Sequence, residues 1–186
     1  MPPKVKVTRE TIVKTALDVV RGGGEAALNA RLIAALLGCS TQPIFSNFEN
    51  MDMLKEAITE AAAGMYNGYQ EKEVKAGKYP AYKASGMAYI RFAKEEKELF
   101  KLLFMCDRAG NVIPEDDELK NRMEKIVQQN TGLGAEESQL FHLEMWAFVH
   151  GIAAMFATGY VGLEWELVSK MLTDAYQGLK KQYGME

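Results

Sequence analysis

The stretch that decides the fold is residues 29–48, which read NARLIAALLGCSTQPIFSNF. Asn29 is a suitable N-cap for a short helix over Ala30–Leu37. Gly38 ends that helix, because glycine adopts a positive φ without strain. A second short helix is predicted over Thr41–Phe48. The pattern is therefore that of two short helices joined by a tight turn.

The apolar spacing of this stretch predicts how the two helices pack. Ser40 is the expected N-cap of the second helix, and Pro43 falls in its first turn, where an amide needs no partner. Ala34 is small enough for a close helix crossing, and Cys39 is expected as a small apolar plug beneath the turn. The side chains predicted to be buried are Ile33, Leu36, Leu37, Ile44 and Phe48.

Apolar residues recur at helical spacing along the whole chain, and no stretch alternates with a period of two. The sequence therefore predicts an all-α protein of about nine helices. Thr8 is the expected N-cap of the first helix, which Gly22-Gly23-Gly24 ends, and Asn50 is the expected N-cap of the fourth. The predicted helices are Arg9–Arg21, Ala30–Leu37, Thr41–Phe48, Met51–Val74, Ala81–Lys94, Glu98–Met105, Glu115–Asn130, Ala135–Thr158 and Leu163–Tyr183.

Composition and charge narrow the class of protein. The chain has 186 residues, of which 48% are hydrophobic and 25% charged, a balance that excludes a disordered or fibrous protein. Its net charge of -3 at pH 7 argues by itself against nucleic-acid binding. The charge is uneven, however, because the residues up to Phe48 carry +3 and the remainder -6. This asymmetry favours an anion-binding N-terminal segment attached to an acidic body.

The two cysteines and the N-terminus indicate the compartment. Cys39 and Cys106 are too few for a disulfide framework, and no apolar stretch follows the basic N-terminus as it does in a secretory signal. We therefore expect a cytoplasmic protein. Cys106 is expected to be a buried spectator thiol, with a sensor of thiol-reactive compounds as the alternative.

One segment approaches the length of a membrane span. Residues 145–163 contain no Asp, Glu, Lys or Arg. They also contain His150 and Gly159, and they continue an amphipathic helix on their N-terminal side. A helix that is apolar all round is buried in a core, in a membrane or against another subunit. We expect a buried or interface helix here, and no membrane.

No catalytic or metal-binding constellation is present in the sequence. His142 and His150 are eight residues apart, too far to bind one metal ion together. Gly22-Gly23-Gly24 lacks the Lys-Ser/Thr of a phosphate-binding loop. The acidic run at residues 115–118 opens a helix, where carboxylates stabilise the helix dipole. We expect no enzyme activity, cofactor or metal.

The second short helix carries the polar groups that indicate a function. Thr41, Gln42, Ser46 and Asn47 are short polar side chains able to reach base edges and phosphates in DNA. On spacing alone, a DNA-binding helix-turn-helix and a helical hairpin with a solvated polar face explain the pattern equally well.

Residues 8–57 resemble the DNA-binding domain of the tetracycline-repressor family of bacterial transcription regulators. The residues that match the family pattern are Thr8-Arg9-Glu10, Ile12, Ala16-Leu17, the glycine stop, Ala30-Arg31, Ile33-Ala34, Leu37-Gly38-Cys39-Ser40, Ile44-Phe45, Phe48 and Leu54. The resemblance implies a three-helix DNA-binding domain over residues 1–50. It also implies a larger helical ligand-binding and dimerisation domain over residues 51–186, connected to the first by the helix at 51–74.

The resemblance also implies which residues contact DNA. Arg31 and Lys6 are expected on phosphate, and Gln42 is the best candidate base reader, because its amide can bond adenine bidentately. The residues expected at the DNA interface are Lys6, Arg31, Ser40, Thr41, Gln42, Phe45, Ser46, Asn47 and Lys55.

Two positions depart from the family pattern. Phe45 stands where a tyrosine usually contacts a phosphate, and Met51 stands where a lysine is usual at the start of the fourth helix. A lost hydrogen bond costs about 0.5–1.5 kcal/mol, or about 1.5–3 kcal/mol if charged. DNA affinity is therefore expected to be weaker than is typical, unless Lys55 and the arm of Lys4 and Lys6 compensate.

The C-terminal part resembles the regulatory domains of the same family. Tyr89–Ala93 followed by Leu99–Phe104 looks like the corresponding family segment, and Trp146-x-x-x-His150-Gly151 resembles a motif of one subgroup. The resemblance implies a homodimer through the last two helices, a near-palindromic operator, and a pocket for a small, largely apolar ligand. The expected lining residues are Met87, Phe92, Phe100, Phe104, Met105, Met123, Trp146 and His150.

The alternative for each of these residues is plain core packing. For His150 the alternative is a core histidine whose hydrogen bonds are satisfied within the protein. The sequence as a whole predicts a repressor that a small molecule releases from its operator. The alternative is a helical dimeric ligand- or partner-binding protein whose specific DNA binding is weakened or lost.

Overall fold

The computed structural model describes residues 7–106 and 117–185, and within them the chain is all-α. Nine α-helices are present in this part of the chain, with a short 3-10 turn, Glu25–Ala27, after the first. The helices are α1 Arg9–Gly23, α2 Ala30–Leu36, α3 Gln42–Asn47, α4 Met51–Lys75, α5 Ala81–Glu95, α6 Lys97–Phe104, α7 Asp117–Thr131, α8 Ala135–Thr158 and α9 Trp165–Gln182. The all-α prediction is confirmed, and the bounds lie within two residues of those predicted.

Side-chain caps fix the starts of three helices at the predicted residues. The Thr8 hydroxyl accepts a hydrogen bond from the backbone N–H of Thr11 at 3.3 Å, and the Thr11 hydroxyl accepts one from the N–H of Thr8 at 2.9 Å. Asn29 and Asn50 each accept a bond at 2.9 Å from the backbone N–H three residues further on. Each cap pairs an amide that the helix itself leaves unpaired.

The turn between α2 and α3 has the predicted glycine, but the predicted cap at Ser40 is wrong. Gly38 has a φ of 64°, and the N–H of Cys39 closes the turn by donating to the carbonyl of Ala34 at 2.9 Å. Thr41, and not Ser40, is the N-cap residue of α3, and no side chain caps this helix. Its backbone is already helical there, and Pro43 removes one of the amides that a cap would serve.

The predicted burial of Leu36 is also wrong, since this side chain is 60% exposed. The buried stripe of α2 runs along Ile33 and Ala34, with Leu37 half-buried beside them. Leu36 lies off this stripe on the helix surface, because successive residues turn by about 100°. Leu36 is therefore an exposed apolar side chain outside the core of unit 1.

The contacts divide the chain into two compact units. Unit 1 comprises Met1–Asn67 and Glu96–Cys106, and unit 2 comprises Gly68–Glu95 and Asp107–Glu186. Helix α4 thus belongs to both, with its first part in unit 1 and its last turns in unit 2. Helix α6 belongs to unit 1, although it follows α5 in the chain.

Unit 1 is built around α1, which contacts α2, α3 and α6. Every side chain that forms its centre is apolar and almost wholly removed from solvent. The largest of these are Ile12, Ile33, Ile44, Phe48, Leu54, Ile58, Leu99 and Phe100. Because α2 and α3 both contact α1, this core fixes the orientation of the helix-turn-helix.

Unit 2 is built around the contact between α5 and α8. A Cβ added to Gly86 would lie 3.1 Å from a methyl of Leu172 and 3.4 Å from one of Val149, so α5 approaches its neighbours closely at this glycine. Tyrosine hydroxyls of α5 lie 2.9 Å from histidine Nδ1 atoms of α8 at two places, Tyr82–His142 and Tyr89–His150. The two pairs follow in the same order along both helices, which therefore run in the same direction.

Helix α8 is the one helix, among the residues that the structure describes, with the length and hydropathy to cross a membrane. These two properties are weak evidence, because core helices of soluble proteins share them. One side of α8 is buried within unit 2, through side chains that include Phe141, Met145, Ile152 and Phe156.

Candidate functional site

The two sides of α3 differ in burial and in chemistry. Ile44 is fully buried and Phe48, the residue after the last turn, is 1% exposed, so these two side chains anchor the helix to unit 1. Gln42, Phe45 and Ser46 are exposed. We call these three residues the reading face, because their spacing of three and four residues places them on one side of the helix.

Hydrogen bonds within α3 occupy some of the predicted DNA-contacting groups. The Ser46 hydroxyl donates to the carbonyl of Gln42 at 2.9 Å, and the Asn47 amide donates to the carbonyl of Pro43 at 2.7 Å. Asn47 is also half-buried. The Gln42 side chain makes no hydrogen bond within the described residues, so its amide is the group on the reading face that offers both a donor and an acceptor.

Arg9 holds the end of α3, a role that the sequence did not reveal. Its guanidinium carbon lies 4.3 Å from the centre of the Phe48 ring, and its Nη1 donates to the carbonyl of Asn47 at 3.2 Å. A cation over an aromatic face contributes about 0.5–1 kcal/mol at an exposed site. Arg9 therefore ties the start of α1 to the end of α3. In the sequence, Arg9 stood out only as part of Thr8-Arg9-Glu10, which resembles the family pattern.

The other predicted DNA contacts differ in exposure and in pairing. Arg31 and Ser40 are exposed, and Thr41 is half-buried. The Nζ of Lys55 lies 3.1 Å from a carboxylate oxygen of Glu25, and both side chains are nearly half exposed. Such a pair contributes little stability, so it can exchange for a phosphate at low cost. The predicted contacts at Lys4 and Lys6, and the acidic residues 115 and 116, lie outside the described residues.

One carboxylate near this site titrates below its usual range. The pKa of Glu10, in the first turn of α1, is lowered chiefly by a hydrogen bond from the Thr8 side chain. Glu10 therefore keeps its negative charge through mildly acidic pH. That charge stabilises the positive end of α1.

The residues predicted to line a ligand pocket are divided between the two units. Phe100 is buried in unit 1, where Phe104 is half-buried and Met105 is 44% exposed. Met87, Phe92 and Met123 are buried in unit 2. The last two of the set, Trp146 and His150, are also in unit 2. The described structure therefore groups five of the eight predicted lining residues in one unit.

Trp146 and His150 form a stacked pair on α8. Their ring centres are 5.0 Å apart with an angle of 22° between the planes, and Trp146 is 41% exposed. His150 also has the Tyr89 hydroxyl 2.9 Å from its Nδ1. His150 is thus a partnered, half-buried histidine, held between a buried tyrosine and an exposed tryptophan.

Comparison with known proteins decides the family. The family described as "Tetracyclin repressor-like, C-terminal domain" matches residues 82–175, half of the chain. The chain belongs to the tetracycline-repressor family. The protein is therefore a TetR-like transcriptional regulator and not an enzyme.

Two solved structures share the fold of this TetR-family regulator. A TetR-like transcriptional regulator from Rhodococcus sp. RHA1 superposes with a TM-score of 0.71 at 16% identity, over 96% of this chain and 98% of that chain. A putative transcriptional regulator of the TetR family from Vibrio parahaemolyticus superposes with a TM-score of 0.65 at 13% identity, over 91% and 97%. No curated protein sequence matches the chain.

An ion pair joins α1 to the start of α6 in unit 1 of this TetR-family regulator. Arg21 donates from Nε to one carboxylate oxygen of Glu96 at 2.7 Å and from Nη2 to the other. Glu96 is 8% exposed, and Asp18 lies 3.6 Å from the same guanidinium. Because the partners are 75 residues apart, no local pattern in the sequence predicted this bidentate contact.

The burial predicted for the Cys106 thiol is wrong, because Cys106 is exposed. It lies two residues beyond Phe104, the last residue of α6. Within the part of the chain that the structure describes, no group of three or more His, Cys, Asp or Glu side chains could hold a metal ion.

The outer side of α8 is unusually apolar for an exposed surface. Its exposed large side chains are Leu140, Leu143, Trp146 and Phe148, and α9 adds Leu167. Exposed apolar surface concentrated on one element marks an interaction site more often than isolated exposed residues do. We call the four α8 residues the α8 stripe.

Proposed function

We propose that this regulator is a homodimeric repressor that a small, largely apolar molecule releases from a near-palindromic operator. The observation that carries the proposal is the reading face of α3. It presents to solvent a hydroxyl and an amide that has no hydrogen bond within the described residues, while Ile44 and Phe48 hold the opposite side of the helix in the core. A rigidly held helix with short polar groups is what major-groove recognition requires.

The proposed dimer uses the last two helices. The α8 stripe supports this, because its four large apolar side chains are between 38% and 56% exposed in the single chain. A two-fold dimer that buries the stripe against its own copy removes this surface from water. It also presents two α3 helices to one DNA duplex, and a near-palindromic operator follows from that symmetry.

The proposed ligand binds in unit 2, where the sequence-predicted residues Met87, Phe92 and Met123 are buried. Methionine adapts its shape to different apolar molecules at low cost. The stacking of Trp146 on His150 supports a common role for the two residues of the subgroup motif. Release from DNA requires only that the ligand bind one of two conformations more tightly than the other. Helix α4, which belongs to both units, is the proposed connection.

The family also implies a cytoplasmic location, which we include in the proposal. A second candidate function is a dimeric ligand- or partner-binding protein without specific DNA binding. Phe45 and Met51 favour this candidate, since neither supplies the phosphate contact that the family's usual residue would.

The test is footprinting of the full chain on the DNA that flanks its own gene, with binding measured at several salt concentrations. We expect a protected, salt-sensitive site at submicromolar protein. Gln42→Ala should weaken binding by about 1–3 kcal/mol for each half-site, the worth of one bidentate base contact. Gln129→Ala is the matched control, because Gln129 is also an exposed glutamine but lies on α7.

Loss of protection in both variants, or in neither, would contradict the role given to the reading face. Dimerisation without any protected site would favour the second candidate function.

A further inference from the structure

One side chain of the reading face, that of Phe45, has no hydrogen-bond donor or acceptor. Phe45 is 48% exposed, and its ring makes no aromatic or cation contact within the described residues. It lies three residues after Gln42 and directly before Ser46, so a phenyl ring sits within an otherwise polar surface. Such a ring contributes to binding only by burying apolar area.

We propose that Phe45 reads the 5-methyl group of a thymine in the major groove. This inference rests on the proposed function and assigns the base that the position recognises. The thymine methyl is the apolar group that base edges present in the major groove. Phosphate oxygens are charged and strongly hydrated, and the ring has no donor with which to bond them. The apolar contact is therefore assigned to a base edge and not to a phosphate.

The position of Phe45 on α3 places this contact next to that of Gln42. Residues three apart on a helix have Cβ atoms about 5–6 Å apart. Successive base pairs are about 3.4 Å apart along the duplex. The two side chains therefore reach the same base pair or adjacent ones.

An A·T pair satisfies both side chains of the reading face. Adenine offers N6 and N7 to the amide of Gln42, and thymine offers its methyl to the ring of Phe45. The contact between Arg9 and Phe48 fixes the end of α3, so the two side chains keep this relative placement. The half-site therefore contains an A·T pair at the position that Gln42 and Phe45 contact.

The experiment begins with selection of binding sites by the full chain from a random duplex library. Each thymine of the selected half-site is then replaced singly by uracil, which removes only the methyl group. One buried methyl corresponds to roughly a four-fold change in Kd, and hence about 15-fold when both half-sites are changed. We expect this loss at one thymine, or at two adjacent ones, for the unmodified protein.

Phe45→Ala is expected to bind more weakly and to show no difference between thymine and uracil at that position. Leu36→Ala is the matched control: it removes another exposed apolar side chain, on α2, and should retain the full methyl dependence. Circular dichroism and the melting temperature verify that both variants fold, as their exposure leads us to expect.

The possible outcomes separate this inference from the proposed function. A selected site with no methyl-dependent thymine, or with a dependence that persists in Phe45→Ala, overturns the inference and leaves specific DNA binding intact. A library from which no sequence is enriched overturns the proposed function and the inference together.

Discussion

The contact between Arg21 and Glu96 predicts a large loss of stability from a substitution far from the reading face. Arg21→Met removes both hydrogen bonds. It leaves the carboxylate of Glu96, a residue that is only 8% exposed, without its cation. Breaking a fully buried pair from one side costs about 3–5 kcal/mol. The Arg21 side chain is 43% exposed, so water recovers part of this loss, and we expect about 2–3 kcal/mol.

The assay is urea-induced and thermal unfolding of the full chain at one fixed protein concentration, since the proposed dimer would make stability depend on concentration. For a chain of this length each kcal/mol shifts the melting temperature by about 2–4 °C. The expected shift for Arg21→Met is therefore roughly 4–12 °C. Arg21→Lys keeps the positive charge in the last turn of α1 and should lose only part of this stability, because a lysine cannot form the bidentate contact.

The control is Lys75→Met, which breaks an ion pair with Glu71 in which both side chains are more than two-thirds exposed. We expect it to change the free energy of unfolding by less than about 0.5 kcal/mol. If Arg21→Met is no more destabilising than Lys75→Met, the Arg21–Glu96 pair does not stabilise unit 1 and the reasoning from its burial is wrong.

Three further predictions follow from other parts of the molecule. Met51→Lys should tighten operator binding, because it restores a cation where α4 begins. It should also steepen the slope of log K against log salt concentration by about one for each half-site. An unchanged slope in a titration with KCl would mean that the residue does not reach a phosphate. Leu143→Glu, in the α8 stripe at 56% exposure, should shift the protein to monomer in sedimentation experiments, whereas Glu136→Gln should not. Burial raises the pKa of Tyr82 above its ordinary value of 10.0. The protonated tyrosine is thus favoured in the folded state, and stability should fall as pH rises above about 10. At pH 8, Tyr82→Phe should be less stable than the unmodified chain, because it loses the His142 contact. Between pH 8 and pH 11, its free energy of unfolding should fall by less than that of the unmodified chain. An equal loss of stability in the two proteins between these pH values would contradict the prediction.

The sequence by itself determined the local structure of this protein. The caps at Thr8, Asn29 and Asn50, the glycine turn at Gly38 and the buried Ile44 were all predictable. Capping bonds, glycine turns and helical periodicity join residues at most a few positions apart. The all-α fold and the resemblance of residues 8–57 to the family's DNA-binding domain depend on those same short-range patterns.

Only the tertiary structure decided which helix faces are covered and which distant side chains meet. Leu36 and Trp146 are apolar residues at helical spacing, yet both are exposed, because burial depends on where other helices pack. The pair of Arg21 and Glu96 is the clearest case. Either residue alone reads as an ordinary surface charge, and the folding of α1 against the start of α6 brings them within hydrogen-bond distance. No spacing rule can anticipate such a contact, since its geometry is set by the core packed beneath it.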